Sequence, residues 1–181
     1  MLLCCIQFAC AYFVDNVKFL KPSNFDVLLN DITEAELRII SEMEGAPYLN
    51  ISTLKPTFPV EGIVMGTNRR YIVNLLVRRK SAAENPYRNV MFMIDTGSPY
   101  TFLSTAAIEA MVNTAANVPE MLKLEIQGGQ PMICYLSPPD KHFADVNLLG
   151  MDFLEMHGTQ IHTDWSRKTF YLHDSKSSTA N

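Results

Sequence analysis

Cysteine is scarce in this chain and poorly placed for its usual structural uses. Of four, Cys4, Cys5 and Cys10 crowd into the first ten residues and Cys134 stands alone. Neither a disulfide framework nor a zinc-ligand spacing can be built from that set. The four histidines (His142, His157, His162, His173) have no ligand spacing either, so no metal and no cofactor are expected. Positive charge is short as well. Fifteen Lys+Arg against 19 Asp+Glu give a net charge of −4 and a pI near 5.5, which argues against a nucleic-acid partner and the basic face it would need. The small basic groups Arg69-Arg70 and Arg78-Arg79-Lys80 bracket a strand and read as solvated ends. No apolar run reaches bilayer length. Residues 1–14 are apolar but for Gln7 and too few to cross a membrane, so no stable membrane span is expected. That stretch lacks the positive n-region of a secretion signal, although Ala9-Cys10-Ala11 has the form of a cleavage site. A buried segment or a fragment's arbitrary start is favoured, in a reduced, cytoplasmic setting, with secretion as the alternative. The sequon Asn50-Ile51-Ser52 matters only under that alternative. Internal repeats and low-complexity segments are absent too.

What remains is globular in kind. The chain has 181 residues, 48% hydrophobic and 19% charged, enough for one domain with a core and an extension. The clearest helix signal lies near residues 33–44. Thr33 with Glu36 forms a capping box, Ile32 with Leu37 a staple, Leu37, Ile40 and Met43 share a face, and Gly45 ends the helix. Prolines 47, 56 and 59 mark an irregular connection. From Val60 the period changes to two. Strands are predicted over 60–65 and 71–78, with Tyr71, Val73, Leu75 and Val77 on one face. Ser104 caps a predicted helix over 105–112. Residues 122–127 and 131–136 form strands around Gly128-Gly129, residues 143–149 another, 151–156 a short helix, and 160–163 and 168–173 closing strands. Many short strands at short spacing predict a mostly β chain with a closed or sandwich-like core. The expected organisation is an extension over 1–57, a domain over 58–174 and a polar tail over 175–181.

The stretch around which the rest is organised is residues 90–103, Val-Met-Phe-Met-Ile-Asp-Thr-Gly-Ser-Pro-Tyr-Thr-Phe-Leu. Residues 90–94 have the composition of a strand buried on both faces, and they deliver Asp95 directly out of that apolar run. A carboxylate there costs desolvation energy unless hydrogen bonds or a chemical task compensate. Thr96, Gly97 and Ser98 require a turn, and a glycine there lets a backbone or ligand come close. A strand ending in an Asx-type turn is the bland reading.

The context favours the other one. Phe92-Met93-Ile94-Asp95-Thr96-Gly97-Ser98 resembles the catalytic strand of the aspartic proteases. A second stretch, Val146-Asn147-Leu148-Leu149-Gly150-Met151-Asp152-Phe153-Leu154, has its Gly150 55 positions after Asp95. It resembles the apolar-apolar-Gly strand and following helix of the single-domain, retroviral-type (retropepsin-like) branch. The resemblance spans roughly residues 60–173. It implies a closed acid-protease barrel with a short C-terminal helix, here with a helical N-terminal extension. One Asp-Thr-Gly triplet per chain implies a homodimer, with Asp95 from each subunit forming the catalytic pair and a polypeptide as substrate. On the same resemblance Thr96 would hydrogen-bond across the dimer axis, Gly97 would admit substrate backbone, and Ser98 would orient the outer carboxylate oxygen. Leu148, Leu149 and Gly150 would pack under the loop, and Asp152 is read as a capping or salt-bridging residue. A retroelement origin is also implied.

The resemblance has a gap. Relatives close a glycine-rich flap over the substrate, whereas residues 105–119 are alanine-rich and lack glycine. Gly128 and Gly129 are the candidate flap, but counting back from Gly150 places them better in the hairpin that follows it. Pro99 and Tyr100 also depart from many relatives. A catalytically silent dimerisation or peptide-binding module, and a fragment of a larger polyprotein, are therefore the competing readings.

Overall fold

The computed structural model describes residues 31–80, 85–114, 117–139 and 141–175. The apolar segment 1–14 with Cys4, Cys5 and Cys10, and nearly all of the tail, lie outside those residues. Among the described residues, nine strands and three helices run in the order α1 (Glu34–Met43), β1 (Val60–Met65), β2 (Arg70–Arg79), β3 (Arg88–Ile94), β4 (Phe102–Leu103), α2 (Thr105–Val112), β5 (Met121–Ile126), β6 (Met132–Leu136), β7 (Asn147–Leu149), α3 (Met151–His157), β8 (Gln160–Asp164) and β9 (Thr169–His173).

Six of the strands close a ring, β3-β7-β4-β6-β5-β2 and back to β3. The chain is thus mostly β, a closed barrel with short helices. The closure depends on β2, a ten-residue strand that gives one edge to β3 over Ile72–Val77. It divides the other edge, pairing Arg70, Tyr71 and Ile72 with β1 and Val77, Arg78 and Arg79 with β5. At that division β1, β9 and β8 leave the ring as an antiparallel flank.

Period two on β2 sends Tyr71, Val73, Leu75 and Val77 to the barrel interior. There they meet Val90, Phe92, Leu103, Ile108, Leu124, Leu149, Phe153 and Phe170. Burying a side chain such as Phe92 or Leu124 contributes about 1.5–3 kcal/mol, so this cluster is the barrel's main source of stability. Unlike a half-exposed strand, β2 is covered on its other face too. Ile72, Met91 and Met93 pack there beneath Ile32, Leu37, Ile40 and Tyr48 of the segment before the barrel.

Thr33 caps α1 with both halves of the capping box in place, and Glu34 pairs with Arg38 one turn on. The buried stripe differs from the expected one. Leu37 and Ile40 are buried, but the third buried position is Ser41, and Met43 is 44% exposed. Ser41 can turn inward because its hydroxyl donates to the Arg38 carbonyl and accepts the Tyr48 N–H. The strand expected over 143–149 is only Asn147–Leu149. Phe143 has positive φ and its carbonyl accepts the Val146 N–H, so a turn occupies the first half. Among the described residues no helix is long and apolar enough to cross a membrane.

Candidate active site

β3 runs parallel to β7, with Phe92, Met93 and Ile94 opposite Asn147, Leu148 and Leu149. β4 meets the other edge of β7, Phe102 opposite Leu148. The strand carrying Leu148 and Leu149 is therefore inserted between the two strands that flank residues 95–101. Each end of that loop is fixed by hydrogen bonds to the end of β7 or to the first residues of α3.

Asp95 stands at the exit of β3, half-buried, its N–H held by the Leu149 carbonyl at 3.0 Å. Its Oδ1 accepts the Gly97 N–H at 2.9 Å, and its carbonyl accepts the Ser98 N–H at 3.1 Å. Among the described residues no cation pairs with it. The carboxylate is thus aimed by one backbone donor, the Gly97 N–H, and has no counter-charge among the described residues. Thr96 and Gly97 are exposed, and the Thr96 hydroxyl hydrogen-bonds nothing among the described residues. A Cβ on Gly97 would stand 3.2 Å from Asp95 Oδ1, so glycine keeps this approach to the carboxylate clear. The Ser98 hydroxyl turns inward and donates to the Tyr100 carbonyl at 2.7 Å, not to the Asp95 carboxylate.

The far side of the loop is anchored on α3. The N–H groups of Met151 and Asp152 donate to the carbonyls of Ser98 and Pro99. In return, the Asp152 carboxylate takes the Thr101 hydroxyl at 2.6 Å and the Thr101 N–H at 3.0 Å. The Thr101 hydroxyl also accepts the Gly150 N–H at 3.1 Å. Gly150 lies so close to the loop that a Cβ there would fall 2.3 Å from the Tyr100 carbonyl oxygen. Asp152 thus works as a hydrogen-bonding clamp and makes no ion pair among the described residues. Thr101 gives no signal in the sequence, because its partner is 51 residues away and the pair has no local signature.

Gly128 and Gly129 lie elsewhere. They form the β5–β6 turn, with Gly128 against Pro56 and Gly129 so tight on the His157 ring that a Cβ would clash. Gln127 fixes the turn further, exchanging hydrogen bonds with Leu76 and donating to the Thr57 carbonyl. His157 ends α3, roughly 10 Å along the helix axis from Gly150 at 1.5 Å per residue. The turn is therefore seated at the end of α3 away from the Asp95 loop. Between β4 and β5 the described residues form α2, closed by Asn113 in the left-handed conformation, and an irregular stretch rather than a hairpin.

Cys134, on β6, is fully buried in the barrel. Burial pushes its thiol well up, and the negative charge of Asp152 adds to the shift, so it stays protonated and is no nucleophile. Among the described residues no group of three or more His, Cys, Asp or Glu side chains could hold a metal ion.

No protein-family model matches this chain, and no curated protein matches it. Among solved structures it is similar to the crystal structure of a retropepsin-like aspartic protease from Rickettsia conorii, at 18% identity. The match covers 65% of this chain and 92% of that one, with a TM-score of 0.40. At that distance the likeness decides nothing about the site, and the barrel stands on its own strand pairings.

Proposed function

We propose that this protein is an aspartic endopeptidase that works as a homodimer, with Asp95 of each subunit forming one catalytic pair. The observation that carries the reading is the setting of Asp95. An apolar strand delivers it to the surface of a closed barrel, its main chain is held by Leu149 and Ser98, and the Gly97 N–H aims its carboxylate. It has no cation beside it among the described residues. A carboxylate prepared in this way is suited to share a proton with a second carboxylate.

Two carboxylates within hydrogen-bond reach cannot both ionise comfortably, so one stays charged and the other keeps its proton. The charged partner draws a proton from water, which attacks the scissile carbonyl. The protonated partner polarises the carbonyl oxygen, and a proton then passes to the leaving nitrogen. The two acidities belong to the pair, and neither copy of Asp95 owns one of them. Gly97 leaves room for a backbone to approach, and Thr96 offers a free hydroxyl beside the loop. α2 follows β4, and the substrate we infer is an extended polypeptide.

The test is hydrolysis of an unfolded protein between about pH 3 and 8, the range over which carboxylates and coupled carboxylates titrate. The wild type should cut, and Asp95→Asn should fall to background while keeping its fold and its dimer. A wild-type dimer that cuts nothing anywhere in that range would make the peptide-binding reading the correct one.

A further inference from the structure

The segment before the barrel packs onto the strands that hold the Asp95 loop through Ile32, Leu37, Ile40 and Tyr48, and Tyr48 also reaches β7 by a buried hydrogen bond. Leu49 and Asn50 exchange backbone hydrogen bonds with Asn89, and the Ser52 N–H donates to the Tyr87 carbonyl. Ile51 bridges Arg88. One edge of β3 is thus divided, its start paired with residues 49–52 and its end with β7. Just before this pairing, Tyr48 turns inward, 5% exposed, its ring under the Arg38 guanidinium at 5.0 Å. Its N–H is fixed to α1 by Ser41.

The Tyr48 hydroxyl accepts the Asn147 Nδ2–H at 2.7 Å. Asn147 is fully buried at the start of β7. Its Nδ2 also donates to the Met91 carbonyl on β3 at 2.9 Å, and its Oδ1 accepts the Ser104 N–H where β4 passes into α2 at 3.0 Å. One amide therefore joins the strand before the Asp95 loop, the strand after it and the N-terminal segment. Two residues further along β7, the Leu149 carbonyl holds the Asp95 N–H. The phenol suits this place. Burial raises its pKa against the pull of hydrogen bonds from Ser104 and Asn147, and a neutral hydroxyl can both donate and accept.

We propose that Tyr48 is a positioning residue for the catalytic loop, acting through Asn147 to set β7 against β3, so that the N-terminal segment is part of the active-site scaffold. As a statement about catalysis this rests on the peptidase reading. As a statement about the loop it does not. The test uses the full chain and compares Tyr48→Phe with Ile40→Val. The first removes only the hydroxyl, and the second trims the same packed segment without touching the network.

Loss of the hydroxyl's buried hydrogen bonds with Asn147 and Ser104 should speed exchange of the Asp95 and Gly150 amides by about tenfold, and lower kcat by a similar factor at unchanged KM and unchanged dimer fraction. Ile40→Val, compared at equal loss of melting temperature, should do neither. Exchange at Asp95 no faster in Tyr48→Phe than in Ile40→Val would overturn the proposal. So would accelerated exchange with full kcat in an active enzyme. If the wild type cuts nothing, the peptidase reading fails by itself, and the exchange comparison still decides whether Tyr48 orders the loop.

Discussion

At the scale of single residues, Gly150 is the position where the least chemistry has the largest consequence. An added methyl would meet the Tyr100 carbonyl oxygen at 2.3 Å, its carbon at 2.4 Å and the Thr101 nitrogen at 2.9 Å. All three are backbone atoms of a loop already fixed to α3 by Ser98 and Pro99, so no side-chain rotation relieves the clash. Gly150→Ala should therefore destabilise the protein by about 1–3 kcal/mol in denaturant unfolding, the usual cost of overpacking. Its loss of peptidase activity should be larger than that stability loss explains. Gly66→Ala is the control. It has positive φ but nothing within 4 Å, so it should cost only the strain of a left-handed alanine and spare activity. Asp95 could be picked out in the sequence because an apolar run ends abruptly at it, and Gly150 because the stretch around it resembles a family motif. Thr101 and Tyr48 could not, and neither could the partners of Asp152 and Asn147. Their meaning lies in hydrogen bonds spanning 51 and 99 residues, and no period or spacing encodes those.

At the scale of elements, the strands with clean alternation were readable, and so was the capped helix α1. The failures were at places where a distant partner decides. Met43 and Ser41 exchange roles because Tyr48 supplies a hydrogen bond to the serine. β7 is three residues long because its insertion between β3 and β4, rather than its own composition, defines it. The seam between β2 and β5 is another such place, since three residue pairs close the ring there. At its centre Arg78 donates twice to Glu125, each at 3.0 Å, and Tyr87 and Lys80 complete the surround. Burial raises the Glu125 pKa, but the hydrogen bonds from Tyr87 and Arg78 and the charges of Arg78 and Lys80 outweigh it and hold the carboxyl below its usual range. A depressed carboxyl contributes its stability above the unfolded-state value of about 4.3 and loses it as pH falls through the lower folded value. Glu125→Gln should thus cost up to about 3 kcal/mol at pH 7, because it removes the buried charge toward which Arg78, Tyr87 and Lys80 are directed. Melting curves of the two proteins should converge as the pH is taken down through the acid range. A constant difference between them would mean the charge of Glu125 contributes nothing to closing the barrel.

At the scale of the whole molecule, the chain carries one Asp-Thr-Gly triplet, and the mechanism needs two carboxylates. That arithmetic turns the proposed function into a statement about assembly. A two-fold axis through residues 95–97 would bring like to like, and Thr96 and Gly97 are exposed there and free to meet their copies. If each active unit takes one Asp95 from each chain, a dimer of wild type with Asp95→Asn holds a single carboxylate and should be silent. Equal amounts of the two proteins, left to exchange subunits at random, form wild-type homodimers as about a quarter of all dimers, by binomial pairing in a symmetric dimer. Activity per total dimer should then drop to about one quarter of the wild-type value. If each chain instead carried its own complete site, the same mixture would keep one half. Dilution gives the same answer independently, since below the dimer dissociation constant the specific activity should fall in proportion to concentration, whereas a self-sufficient monomer would hold it constant. A mixture that keeps half its activity, together with a dilution series that stays flat, would leave the barrel as described and remove the shared pair from it.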